Sequence, residues 1–546
     1  MNTTNTTAPS ARPQCGYEST QRDDPPVPPS DSARIDHLLH TNDHPTQQEE
    51  TAFRSFVADG EFFLSQLDIR IASVRALLLQ LEATRNSLAS TISSYKQPLH
   101  PIRRLPSEIL GLIFSYGVGH DEPAERKLLK SPHSLDLQYP PWVYGRICRK
   151  WKDCLYEMPS LWTRVRLQFD KFELGSNQAL LSVYLCRSKG LPLTVYLHIP
   201  KASAIDSFLG LFNHIFSHSW RWKVLLLSGE SELSETVAIS EDSFPSLEQI
   251  HIWDPRGSRY SAKGKRVFPN IQASKLRAWT SIGNTSSSSD PSIRMMLPTA
   301  MCTQITEYTT SSVVISDVIE VVQLLPHLRI LSIGNLLSRA RPKALPKAVY
   351  LPTLQKLYIT QLNSSSSRTD IEALFDSMSC PALVHLSLDS NEECSDSFKR
   401  FEERSNFALQ QFIIGRNAAA FVQGLQNCFA LEKLGLEGSH TYETILDVLD
   451  FVYTLPASPA DSPNAQFPNL RQIKFHLSAI SFADLDAFMD KFHILMCVRA
   501  SYADSMIVPL EIVITTPKEQ ASKMLNHERL KDIQQAPKVT VKIIAT

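Results

Sequence analysis

The chain has 546 residues, enough at about 100–200 residues per domain for two to four domains. It is 43% hydrophobic, so sizeable cores are within reach, and its formal net charge is −1 with a pI of about 7.0. That balance offers none of the clustered Lys and Arg that phosphate contacts require, which speaks against nucleic acid and against an anionic membrane as partners.

The 9 cysteines are odd in number and scattered, with no CxxC pair; the nearest spacing is Cys148 to Cys154. This supports neither a metal site nor a disulfide framework. Free thiols suit a reducing compartment, so the expected location is cytoplasmic or nuclear. The N-terminal MNTTNTTAPSARPQC has no apolar core of a secretory signal. No apolar run approaches the ~18–20 residues that cross a bilayer. The N-x-S/T triplets at Asn2, Asn5, Asn284 and Asn363 are accordingly read as chance.

Residues 1–45 are rich in Pro, Ser, Thr and Asp and carry no apolar period, which predicts a disordered tail. A helix is predicted over 46–97. Thr46 and Glu49 have the spacing of a capping box, and Pro98 and Pro101 are the stop signals. Along it Phe53, Val57, Gly60, Leu64, Leu67, Ile71, Val74, Leu78, Leu81, Arg85, Leu88, Ile92 and Tyr95 follow alternating steps of four and three. That is the spacing of a coiled-coil seam, broken only by Gly60 and Arg85. The pattern predicts pairing with another chain or self-association. Parallel dimer and hairpin partner both remain open.

Two short helices are predicted in 98–166. In the first, Leu105, Ile109, Leu112 and Ile113 share one face, with Pro106 and Glu108 suited to its start. In the second, Val143, Ile147, Trp151 and Leu155 fall at steps of four. Neither buries its stripe alone, so the two are expected to pack together. Residues 117–141 read as a loop inserted between them.

From 167 to 546 short apolar runs recur in the form L-x-x-L-x-L. First positions fall at 222, 247, 276, 305, 328, 354, 383, 409, 431 and 470. All steps but the last lie within the 20–29 residues of a leucine-rich repeat. In such a unit the last two apolar residues alternate along a strand and point inward, as in Leu331 and Ile333. The residue between them points outward from a concave sheet, which makes Ser332, Tyr358, Ser387, Gly435 and Lys474 candidates for partner contact. Amphipathic helices are predicted at 316–325, 369–378, 418–428 and 444–453, with Ser316 and Thr369 as N-caps. The fold class is therefore mixed α/β: a long N-terminal helix, a small all-α module, then an irregular solenoid of parallel strands alternating with helices.

Catalytic signatures are missing. There is no G-x-S-x-G, H-E-x-x-H or G-x-G-x-x-G. Gly257 and Gly264-Lys265 have six residues between the glycines where a phosphate loop has four. His214 and His218 lie one turn apart without a nearby carboxylate. No cofactor, metal or catalytic residue is expected.

The run PIRRLPSEILGLIF, then VYGRICRKW, then MPSLW, resembles the F-box, in the form found in large fungal families. The elements are Leu105-Pro106, Glu108-Ile109-Leu110, Cys148-Arg149-Lys150-Trp151 and Leu161-Trp162. The preceding coiled-coil helix and following repeats look like the same group. The resemblance implies a Skp-type adaptor as partner, and through it a cullin and a RING subunit. It assigns Leu105, Pro106, Ile109, Leu110, Ile113 and Trp151 to the adaptor contact or its bracing, and an unidentified target protein to the repeats. The alternatives are a binding scaffold outside any cullin ligase and an enzyme with an unfamiliar site.

Overall fold

The computed structural model describes residues 24–29, 32–41, 43–118, 133–169, 176–199, 209–229, 244–254, 272–283, 297, 299–336, 348–360, 369–389, 395–415, 425, 428–440, 442–453, 467, 469–477, 482–501, 508–535 and 538–545. The chain divides into two compact units, Met1–Pro106 and Ser107–Thr546.

The first unit holds α1 (Ser32–Thr41), α2 (Gln47–Leu99) and the 3₁₀ turn Pro101–Arg104. The capping box forms as its spacing predicts. Glu49 N donates to Thr46 Oγ1 at 3.3 Å, and Thr46 N donates to Glu49 Oε2 at 2.8 Å. Arg34 of α1 adds a bond to Glu49 Oε1 at 2.9 Å. Arg34, the Thr46 amide and the Thr46 hydroxyl, which donates to Glu49 Oε2 at 3.0 Å, together hold the Glu49 carboxyl down to about 2. α1 falls inside the stretch expected to be disordered. Its Ile35, Leu38 and Leu39 have helical spacing, and Arg34 ties it to the start of α2. α2 also runs past residue 97. Pro98 in the last turn forfeits one backbone donor without ending the helix, and Pro101 then opens the 3₁₀ turn.

The second unit begins with α3 (Ser107–Val118), the 3₁₀ turn Trp142–Arg146, α4 (Arg149–Glu157) and the 3₁₀ turn Pro159–Trp162. Among the described residues fourteen strands then form one sheet, all neighbours parallel: β1 (Arg164–Gln168), β2 (Leu193–Ile199), β3 (Trp222–Gly229), β4 (Gln249–Asp254), β5 (Ala278–Gly283), β6 (Glu307–Val313), β7 (Ile330–Leu336), β9 (Lys356–Thr360), β11 (His385–Asp389), β12 (Gln411–Ile414), β13 (Lys433–His440), β14 (Gln472–Leu477), β15 (Leu510–Thr516) and β16 (Val539–Ala545). The two-residue strands β8 (Val349–Tyr350) and β10 (Met378–Ser379) pair separately. Helices alternate with the strands: α5 (Ser176–Arg187), α6 (Leu209–Phe216), α7 (Ile315–Val322), α8 (Thr369–Asp376), α9 (Ser395–Ser405), α10 (Tyr442–Tyr453), α11 (Phe482–Ser501), α12 (Lys518–Asn526) and α13 (Glu528–Gln535). Strand order follows chain order throughout, as expected when each unit stacks only on its neighbours.

The inward rows are the ones the repeat pattern picked out. Leu331, Leu357, Leu386, Phe412, Leu434 and Ile473 are successive register partners, each at most 1% exposed. The row beside it runs Ile333, Ile359, Leu388, Ile414, Leu436 and Phe475. At β5 the register differs from the pattern. Ser281, not Ile282, partners Ile252, so Ser281 is buried and Ile282 is 37% exposed. β5 runs through this point without a break in register, so Ile282 simply takes the outward position after Ser281. The register continues to Thr310, 1% exposed, so two hydroxyls interrupt an aliphatic row.

Strands β1, β2 and β16 lie outside the predicted set. Each alternates cleanly, as in Val539, Val541 and Ile543, but lacks the leading leucine of the repeat. The sheet therefore starts at Arg164, ahead of the predicted boundary at 167. Part of the predicted loop 117–141 is ordered against it. Ser134 N donates to Arg166 O at 3.0 Å, and Arg166 N to Ser134 Oγ at 2.7 Å, covering an edge that would otherwise expose unpaired backbone. Residues 119–132 and most of the predicted helix 418–428 lie outside the described residues. Ser316 is not a cap: α7 starts a residue earlier, after Val314, and Ser316 is buried.

Candidate functional site

α3 is apolar on two sides. Leu110, Gly111 and Phe114 are buried, whereas Ile109, Leu112, Ile113 and Tyr116 are 42–69% exposed. The second set follows i, i+3, i+4, i+7, so it forms a continuous stripe one residue out of phase with the buried one. A helix needs one apolar side for its own core. The exposed one is not used by that core.

The buried side organises the rest of the module. The Phe114 ring stacks on Tyr144 at 4.8 Å between centroids and meets Trp151 at 5.0 Å. Cys154 Sγ donates to Ser107 O at 3.3 Å, and Trp162 Nε1 to Leu155 O at 3.2 Å. The second predicted helix is divided. Cys148 is extended between the 3₁₀ turn and α4, so the four-step stripe does not continue across it. Leu155 is buried and Ile147 is 56% exposed.

An aromatic joint carries the module onto the sheet. The Arg187 guanidinium of α5 lies 4.3 Å from the Tyr156 ring centroid, 4.5 Å from that of Trp162 and 4.9 Å from that of Trp142. Its Nη2 donates to Tyr156 Oη at 2.8 Å. Trp162 meets Tyr184 edge-on at 5.1 Å, and Tyr184 Oη donates to Arg164 O of β1 at 2.9 Å. The cation among three rings and the edge-on aromatics fix the module's orientation on the first strand.

The predicted adaptor residues therefore separate. Ile109 and Ile113 share the exposed stripe. Leu110 is fully buried and belongs to the core, because its side of α3 faces Phe114's neighbours. Trp151 is half-buried and braces Phe114 and Tyr144. Leu105 and Pro106, in the first unit, are half-buried and exposed respectively, and Leu105 N donates to Ile102 O at 3.4 Å to close the 3₁₀ turn. The stripe expected to pack on the second helix included Ile109, Leu112 and Ile113, but all three are exposed and Leu110, Gly111 and Phe114 are buried instead; Tyr116 was passed over. The two-stripe spacing of α3 is the signal for both.

The five predicted sheet positions come together in one outward row. Ser332, Tyr358, Ser387, Ile413, Gly435 and Lys474 are successive register partners on β7, β9, β11, β12, β13 and β14. Gly435 is buried and offers no side chain: a Cβ there would stand 3.3 Å from Ile413 Cγ1. Ile413, which fills that place, was not selected. Tyr358 lies 4.9 Å from the His385 ring, and burial pushes both the Tyr358 phenol up and the His385 imidazole down, so both favour their neutral forms. Lys474 Nζ is 4.0 Å from Glu437. Toward β2 the same row is closed: Tyr196 and Leu226 are 3% and 5% exposed, and Arg166 lies over the Tyr196 ring at 5.0 Å.

The His214 and His218 rings are 5.8 Å apart, and His214 Nε2 pairs with Ser182 Oγ at 3.0 Å. Among the described residues no three or more His, Cys, Asp or Glu are grouped to hold a metal ion, and no helix is long and apolar enough to cross a membrane. The described residues present an exposed apolar stripe on α3 and a mixed polar and aromatic row on the sheet. No protein-family model and no curated protein matches the chain.

Proposed function

We propose that this chain is the substrate-receptor subunit of a Skp–cullin–F-box ubiquitin ligase. In this reading 98–166 is an F-box, 167–546 is a leucine-rich-repeat domain, and the chain itself does no catalysis. The exposed stripe Ile109, Leu112, Ile113 and Tyr116 carries the reading. It lies on the helix that bears the Glu-Ile-Leu element, directly after the Leu-Pro pair in the sequence, and it gives a Skp-type adaptor an apolar surface that the protein's own core does not use. Leu110, Phe114 and Trp151 brace that stripe from behind.

The target protein then meets the outward row, with Tyr358 as the aromatic anchor between Ser332 and Ser387, and Lys474 at one end. The effect on the target is proximity to the ligase, which raises its effective concentration. The rigid aromatic joint at Arg187 supports this, since a receptor must hold its target at a set distance from the transfer centre.

The test is a pull-down of the full chain with a purified fungal Skp adaptor, comparing wild type with Ile109→Asp/Ile113→Asp and with Leu105→Ala/Pro106→Ala. Wild-type capture, lost in the first variant at unchanged melting temperature, is the expected result. A folded wild-type chain that captures no Skp adaptor removes the ligase reading, and a scaffold role independent of cullins takes its place.

A further inference from the structure

α2 is one uninterrupted helix of 53 residues, and none of its residues is buried. The heptad spacing therefore runs along a single unbroken helix, and a strict seven-residue repeat of that length calls for a left-handed supercoil with a partner. Nine of its side chains between Val57 and Tyr95 are 45–72% exposed. From Phe53 to Ile92 the seam is about 60 Å long, well beyond the three to four heptads that mark a stable coiled coil. A surface of that length and regularity fits another helix carrying the same period.

The two irregular seam positions indicate which helix. Gly60 leaves a hole: nothing lies within 4 Å of where its Cβ would stand. Arg85 places a long charged side chain where an aliphatic one is expected. In a parallel pair of identical helices each defect meets itself, Gly60 facing Gly60 and Arg85 facing Arg85. In an antiparallel pair one register sets Arg85 of each copy opposite Gly60 of the other. The same register matches Phe53 with Ile92, Val57 with Leu88, Leu64 with Leu81, Leu67 with Leu78 and Ile71 with Val74. Of the thirteen seam positions only Tyr95 has no seam residue opposite it; it faces Glu50, in the first turn of the other helix. Arg85 then has Glu61 of the second copy beside it and Glu82 one turn back on its own helix, so its charge is met as well as its volume. The aliphatic layers do not choose between orientations, because Leu and β-branched residues are mixed at both seam positions.

We propose that the chain is a two-fold symmetric homodimer through α2, its two helices antiparallel with Arg85 seated over Gly60 of the second copy. The contact is isologous, so it closes at two chains. It stands independently of any ligase role.

Sedimentation of the full chain should give twice the protomer mass of 61.4 kDa. Orientation is read by disulfide trapping with two variants, Leu64→Cys and Leu81→Cys, against wild type as the control for the native cysteines. In the antiparallel register residue 64 is about 25 Å along the axis from its own counterpart. Each variant alone should stay uncrosslinked, and the mixture, after subunit exchange, should yield a covalent heterodimer. A sedimenting monomer, or any assembly larger than two chains, overturns the proposal. So does a crosslink formed by Leu64→Cys alone, which reports parallel helices, or a mixture that forms none.

Discussion

The strands of the sheet and helix α3 use apolar residues in different ways. Along β7, β9 and β11 the alternation is one-sided: the inward rows are at most 1% exposed, and the row between them carries Ser332, Tyr358 and Ser387. α3 is apolar on both sides. The strand rows are fully explained by the protein's own core, while half of α3 is not. Apolar residues beyond what a core requires are a better guide to a docking surface than apolar residues as such.

The largest expected effect breaks that comparison inside α3 itself. Phe114→Ala removes a fully buried ring at the centre of the module and should cost about 3–5 kcal/mol, read as a fall in the denaturation midpoint. Ile113→Asp, one residue away on the exposed stripe, should change stability by no more than about 0.5 kcal/mol. Equal losses from both would mean that the outer stripe is core, and the docking surface would disappear with it.

The joint between module and sheet is the next test. Arg187→Ala takes a guanidinium from among Tyr156, Trp162 and Trp142 and should lower stability by about 1–2 kcal/mol. Arg187→Lys keeps the charge but loses the planar contact with the rings, so it should recover only part of that loss. Full recovery by Lys would mean that charge alone holds the joint.

Much of this architecture was legible in residue spacing. The Thr46–Glu49 box marked the start of α2, and pairs such as Leu331 with Ile333 and Leu386 with Leu388 marked the inward rows, because each follows from the period of a single element. What escaped depends on contacts between elements. In the unit that opens at 276, Ile282 is the next aliphatic residue after Trp279, yet the register with β4 buries Ser281. β16 has the alternation without the repeat's leading leucine. α3 read as one stripe because its two stripes differ by a single residue of phase, and only Phe114's packing against Tyr144 separates them. The outward row was legible as a set of positions, but Gly435 lost its place because Ile413, on the adjoining strand, closes over it. Side-chain size on a neighbouring strand is not written in the strand's own alternation.

The smallest expected effect tests whether the inward packing tolerates a charge. Glu402 of α9 is 6% exposed, and Cys428 Sγ donates to its Oε1 at 3.2 Å. Burial pushes its carboxyl above the usual range, and Glu403 adds to the rise, while the Cys428 bond and Lys399 oppose it. A raised carboxyl holds its proton longer in the folded state than in the unfolded one. Its contribution to stability is therefore complete below the ordinary carboxylate pKa and is lost as pH rises through the folded value. Glu402→Gln keeps the shape and an acceptor for the thiol but never ionises. Denaturation of both proteins between about pH 4 and pH 8 should show near-equal stability at the acid end and a growing advantage for the variant as pH rises. A gap that stays constant across that interval would mean that Glu402 ionises in the fold as freely as in water, and that the space beneath α9 is open to solvent in a way the aliphatic rows are not.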